Sequence, residues 1–255
     1  RGRSSWVWKR GSGSLVMDAS LSMDIGLQMG GSKSSIPGIG AEAAGPHVLQ
    51  VLPSMEMGGV ERGTVQTAAA LTAAGWRATV ASSGGLMTHE LDRARVQHVD
   101  LPLAVKRPFR MLRNGGALAN LIRRQGIDLV HARSRAPAWS ALSAARRTGK
   151  PFVTTFHNAY GHNWIKHYYN VVMAKGDRVI AISNFVSEHV RETYGVSDDR
   201  LLTIHRGIDV NLFDPAKVSA ERIIQISRGW RLTDDHPVIM LPGRFTSWKG
   251  QSVLI

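Results

Sequence analysis

The feature that most limits what this chain can become is a regular alternation, from His47 onward, of short apolar runs with longer stretches of helical spacing. Runs of four to six mostly apolar residues, rich in branched side chains, are the mark of strands buried on both faces. They fall at His47–Leu52, Ala78–Ser82, Leu129–Ala132, Phe152–Phe156, Arg178–Ile182 and Leu201–Ile204, and the repeat places a further strand at the more polar Gln97–Leu101. Helical spacing fills Glu61–Ala74, Phe109–Gln125, Pro137–Thr148, Asn163–Lys175 and Asn184–Tyr194, and Gly75 stops the first of these. Strands that alternate with helices of this length need crossover connections, which predicts an α/β fold built on a doubly wound, parallel, Rossmann-like sheet.

Two stretches fall outside that pattern. Residues 1–46 are rich in Gly and Ser, hold isolated tryptophans at Trp6 and Trp8, and show no strand or helix period, so they read as a disordered leader. A secretory signal is not expected, because the run from Leu15 to Met29 is broken by Asp18, Ser20, Ser22 and Asp24. At the other end, His205–Pro215 is turn-rich and a helix is expected over Glu221–Trp230. A fresh strand over Pro237–Pro242, a basic loop over Gly243–Gly250 and a helix starting at Gln251 follow. A domain with one strand and one helical turn cannot bury a core, so the sequence reads as truncated at its C-terminus. The expected division is a leader (1–46), an N-terminal Rossmann-like domain (47–205), a linker with its helix (206–236), and the start of a second domain (237–255).

Composition narrows the function. The chain has 255 residues and no cysteine, which excludes disulfides and cysteine-ligated zinc or iron–sulfur sites. Its formal charge of +13 calls for an anionic partner: nucleic acid, an anionic membrane surface, or a phosphorylated substrate. The charges are scattered, as in Arg123-Arg124 and Arg146-Arg147, with no zinc-finger spacing or basic run interleaved with aromatics, so nucleic acid is not the expected partner.

Candidate chemistry gathers at strand ends. In open α/β sheets ligands collect beyond the carboxyl ends of the strands, so His157, one residue past the run Phe152–Phe156, is the first candidate for a catalytic residue. A loop histidine bonded to a neighbouring turn is the alternative. Gly58 and Gly59 precede a helix, where backbone N–H groups attract phosphate, although a glycine-rich turn needed only for its geometry would look the same. Their adjacency departs from GxGxxG, and the second strand ends in Ser82-Ser83 without an acidic residue, which disfavours a dinucleotide dehydrogenase. His157, His162 and His167 are spaced by five and have no acidic cluster beside them, so no metal site is expected.

Taken together, the loop Gly58-Gly59-Val60-Glu61-Arg62, Asp128–Ser134, Thr154–His157, Val179–Ser183, Arg206-Gly207-Ile208-Asp209 and the segment from Gly243-Arg244 to Lys249-Gly250 resemble the retaining glycosyltransferases of family 4. The likeness runs from Val48 to the last residue. It implies a GT-B fold: two Rossmann-like domains across a cleft, the acceptor held mainly by the first and a nucleotide-diphosphate sugar by the second. By that likeness Gly58 and Gly59 would lie against the donor diphosphate or the acceptor, while Arg244 and Lys249 would grip the diphosphate without a metal cofactor. His157 would stand beside the transferred sugar, with the leaving phosphate taking the acceptor proton in a front-face attack. His131 and Arg133, at the end of another strand on the same side of the sheet, are candidates for acceptor contact, with a satisfied strand-end histidine as the alternative for His131. The implied partners are a nucleotide-sugar donor and a hydroxyl on an envelope lipid or saccharide, at the cytoplasmic face of a membrane whose anionic lipids the basic surface would favour. The glutamate pair that such enzymes carry on a later helix falls beyond the last residue, so the chain as given is expected to be inactive or nearly so. The rival expectations are a non-catalytic Rossmann-like module that binds an anion and, behind it, a basic nucleic-acid-binding protein.

Overall fold

The computed structural model describes residues 45–105, 107–160, 164–232, 237–243, 245–246 and 249–255. The expected leader, through residue 44, lies outside them, as do Arg244 and the expected helix start at Asn163. In chain order the elements are β1 (His47–Val51), α1 (Gly59–Ala73), β2 (Arg77–Ser82), α2 (Thr88–Arg93), β3 (Gln97–Asp100), α3 (Pro108–Gln125), β4 (Leu129–Ala132) and α4 (Arg135–Thr148). There follow β5 (Phe152–Phe156), α5 (Trp164–Asn170) with a 3-10 turn over Val171–Lys175, β6 (Arg178–Ala181), α6 (Asn184–Tyr194) and β7 (Leu201–Thr203). The seven strands form one parallel sheet in the order β3-β2-β1-β4-β5-β6-β7. Every strand expected before Ile204 is present to within one residue at each end.

Successive side chains of a strand point to opposite faces, and the two faces are filled differently. Leu49, Val51, Val130, Ala132, Phe152, Phe156, Val179 and Ala181 enter one core with Leu118 and Ile122 of α3, Ala141 and Leu142 of α4, and Val186 and Val190 of α6. Ala78 and Val80 enter the other with Val65 and Ala68 of α1 and Leu91 of α2. Right-handed crossovers dictate this split, because the chain runs outward from β1 to β3 and then returns to build β4 to β7 on the other side. Beyond β1 the second face has no core cluster of its own among the described residues; Thr155, Ile180 and Ile182 there line a cavity instead.

Local signals set the helix ends. Pro108 opens α3, where its missing N–H costs nothing, and α3, α4 and α6 each end at a left-handed glycine: Gly126, Gly149 and Gly195, with φ of 61°, 65° and 61°. Ser183 caps α6 by accepting a hydrogen bond from the Val186 N–H. No described helix is long and apolar enough to cross a membrane.

Three expectations change. The helix α2 was not expected; its six residues bury only Leu91, too little for a visible period. The expected helix ending at Lys175 is divided into α5 and a 3-10 turn. Pro237–Pro242 forms no strand: Val238, Ile239, Met240 and Leu241 are exposed and face no neighbouring strand, without which N–H and C=O groups have no ladder to join. After β7 come a 3-10 turn at Pro215–Lys217, α7 (Ala220–Gly229) and α8 (Gln251–Leu254), and no described residue after Leu201 is buried.

Candidate active site

Strand order reverses between β1 and β4, and in open α/β sheets ligands bind at such a reversal, beyond the carboxyl ends of the strands. There the chain forms a cavity of about 560 Å³. Gly63 and Thr67 of α1 form one wall, Arg133 and His157 descend from the ends of β4 and β5, and His205 to Asp209 close the side next to β7. Sheet-face residues His131, Thr155 and Ile180 make the floor.

The extended backbone of β5 ends at Phe156, which is fully buried and packs its ring 5.3 Å from Tyr160 and 5.5 Å from Tyr194. That anchor fixes the direction in which the next residue leaves the strand. The following loop is held by the Tyr160 N–H donating to His189 Nε2 and by Arg135 stacking over the Tyr160 ring, 4.2 Å from its centroid. His157 therefore points into the cavity, and both its ring nitrogens are buried without a hydrogen-bond partner. Burial above all, then the Arg133 and Arg206 charges, bring its pKa down to about 3. The ring is accordingly neutral at physiological pH, with one N–H to donate and one nitrogen to accept. It can orient a hydroxyl, but it is no proton donor at neutral pH and only a weak base.

Arg133 follows β4 and is 7% exposed. Its backbone N–H donates to Val51 O, its Nη1 donates to Thr67 Oγ1 at 3.3 Å, and its Nε has no partner. Burial first and Arg206 second hold its pKa down to about 10. Arg206, past the end of β7, donates through Nη2 to the Gly59 carbonyl. A Cβ on Gly63 would stand 2.9 Å from Nη2 of both arginines, so this glycine lets the two guanidinium groups lie against α1.

His131 projects from β4 and shares a 2.7 Å hydrogen bond with Thr155 Oγ1. It is buried, and desolvation, with Arg133 and His157 behind it, holds its pKa well below the ordinary value. Gly58 caps α1 with extended backbone, and Gly59 lies against Arg206. Lys249 stands on an exposed loop, its N–H donating to Thr246 O, and is not among the residues lining the cavity. Thus the structure brings His131, Arg133 and His157 together, sets Gly59 beside Arg206 at their edge, and leaves Lys249 apart. Arg206, Gly63 and Thr155 are additions: the sequence shows a basic residue after a strand, a glycine in a helix and a strand threonine, but nothing that joins them.

The chain matches the family model for Glycosyltransferase Family 4 over residues 57–212. None of the curated proteins compared with it matches. Among solved structures it is similar to a glycosyltransferase from Rickettsia africae, at 39% identity and a TM-score of 0.72, covering 82% of this chain and 56% of that one. HepE of Anabaena, solved with UDP-glucose, shares the fold at 18% identity and a TM-score of 0.65, over 82% of this chain and 56% of that chain. The lipopolysaccharide outer core galactosyltransferase WaaB shares it at 13% identity and a TM-score of 0.51, over 65% of this chain and 46% of that one. The chain spans about half the length of these structures. Its seven-stranded parallel sheet has the Rossmann-like fold of one half of the GT-B structures it matches, and the chain belongs to glycosyltransferase family 4.

Proposed function

We propose that this chain supplies the acceptor side of an enzyme that moves a sugar from a nucleotide-diphosphate sugar to a hydroxyl of an envelope lipid or saccharide, with retention of configuration. The observation that carries this reading is His157: a neutral imidazole with two unpartnered nitrogens, facing a cavity at the carboxyl ends of the strands. Such a ring suits a sugar hydroxyl, and a positioned contact of this kind is worth several kcal/mol when the geometry is tight. A ring that resists protonation this strongly is a poor general base, which favours front-face attack in which the departing phosphate takes the acceptor proton. His131 and Arg133 would then shape the acceptor pocket, with Gly58 and Gly59 near the diphosphate. Arg244 and Lys249 would stabilise the diphosphate as it leaves, without a metal. HepE was solved with UDP-glucose and WaaB is a lipopolysaccharide outer core galactosyltransferase, which supports a nucleotide-sugar donor and an envelope acceptor.

For the 255-residue chain by itself we propose little or no turnover, because no described residue after Leu201 is buried, so the described residues there form no wall for a donor cleft. We place the enzyme in the cytoplasm at the inner face of the plasma membrane: Phe109, Leu112 and Trp164 are exposed beside Arg110, Arg113 and Lys166, a mixture that suits anionic lipid. The test is release of nucleoside diphosphate from UDP- and GDP-sugars by a polypeptide that carries both halves of the fold. His157→Ala should lower turnover about tenfold or more; unchanged turnover removes His157 from the mechanism, and no release from any donor removes the transferase reading.

A further inference from the structure

The cavity holds two cations that no ion pair among the described residues neutralises. Arg133 and Arg206 take part in none of the ion pairs found among the described residues, which join Arg62 to Glu90, Lys150 to Asp128, Arg191 to Glu188 and Asp198, and Lys217 to Asp214. The carboxylate on the cavity wall, Asp209, is engaged elsewhere: its Oδ1 accepts from the Asn211 and Leu212 N–H groups and shapes the turn. Both Nη2 atoms lie 2.9 Å from the point a Gly63 Cβ would occupy, so the two guanidinium groups stand within about 6 Å of each other, a range in which like charges oppose each other's ionisation. Arg133 is the costlier of the two, buried on all sides with its Nε unpartnered. Buried charges are ordinarily paired, and leaving one unpaired costs several kcal/mol, so a fold that holds two together has room for a counter-charge from outside.

Resting on the reading that this cavity is the transfer site, we propose that Arg133 and Arg206 form a subsite for a phosphoryl group, seated over Gly63 and beside His157. Two guanidinium groups can offer a phosphate several charge-assisted N–H donors at once, which one ammonium on a flexible stem cannot match. Gly63 is part of the device, since a side chain there would force the two cations away from α1. The depressed proton affinity of Arg133 is the electrostatic trace of the same arrangement: burial and its like-charged neighbour both lower it, and a bound dianion would offset them. The phosphoryl group has two sources, a phosphorylated acceptor or the diphosphate of the donor, and they are separable.

The experiment is calorimetric titration of the 255-residue chain with glucose 6-phosphate, UDP and sodium sulfate at constant ionic strength, for wild type, Arg206→Met and Arg133→Met. Saturable phosphate binding that weakens about tenfold or more in Arg206→Met supports the subsite, on the scale of one lost charge-assisted bond. Arg206 is exposed, so that variant keeps its fold even if Arg133→Met does not. Preference for glucose 6-phosphate assigns the group to the acceptor, and preference for UDP assigns it to the donor. No saturable binding by wild type, equal binding of sulfate and both phosphates, or unchanged affinity in Arg206→Met overturns the proposal. The two readings fail separately. Arginine-dependent phosphate binding without sugar transfer by the two-half polypeptide leaves the subsite and removes the transferase, whereas transfer at unchanged kcat/KM in Arg206→Met removes the subsite alone.

Discussion

His157 should make the fold sensitive to mild acid, by an amount the structure sets. In the folded chain its ring stays neutral down to about pH 3, whereas once unfolded it takes a proton near the ordinary value of 6.5. Between those limits the unfolded state binds more protons, so stability is complete above pH 6.5 and is lost progressively as pH falls toward 3. At about pH 5 the solution is about 1.5 units below the unfolded pKa while the folded ring is still neutral, so at about 1.4 kcal/mol per unit His157 alone removes about 2 kcal/mol. The comparison is urea unfolding of the 255-residue chain and of His157→Gln, followed by circular dichroism at about pH 7.5 and about pH 5. His131, His47 and His98 also have lowered values and add acid sensitivity to both proteins, so the difference between the two isolates His157. Wild type should lose about 2 kcal/mol more than the variant, a midpoint difference of about 1 M urea. Equal losses would refute the reasoning, because they would mean that the His157 ring is solvated or already paired with an anion.

Thr155→Val leaves the buried His131 nitrogen without its partner at nearly constant volume, and should destabilise the chain by about 1–3 kcal/mol in the same unfolding assay. Phe156→Ala empties the anchor under the His157 loop and should cost about 3–5 kcal/mol, read as a lower melting temperature. Gly126→Ala puts a side chain on a residue with φ of 61° that has open space around it, so only backbone strain of about 1 kcal/mol is expected. Gly63→Ala should separate fold from site. Helix propensity favours alanine by about 1 kcal/mol, so thermal stability should hold while affinity for a phosphorylated ligand falls.

The inner strands β1, β2, β4 and β5 were legible in the sequence because they are buried almost throughout and so read as nearly apolar runs between glycines, prolines and charges, whereas the edge strands β3 and β7 are largely exposed and were placed by the alternation around them. The run Val238–Leu241 shows the limit of that rule, since apolarity marks a segment that could pair, and only a neighbour makes it a strand. His157 and Arg133 were visible as polar residues at strand tips, where the chain must leave the sheet toward the reversal in strand order. Arg206 was not assigned, because its meaning lies in a contact with Gly59 across 147 positions that no local pattern encodes. Gly63 was equally silent: in a helix a glycine looks like a weakness until two guanidinium groups are found against it.

The most direct test of the cavity as the transfer site is the ring signal of His157, followed by NMR in a 15N-histidine-labelled polypeptide that carries both halves of the fold, as a nucleotide sugar is added at constant ionic strength. His157 lines the cavity, whereas His47 sits at the opposite end of β1, bonded to Thr79 and Gln125, and His98 lies on the edge strand against Ser82. The account predicts a saturable shift of His157 with His47 and His98 unmoved. Saturation that leaves His157 where it was, or moves all three alike, would contradict it.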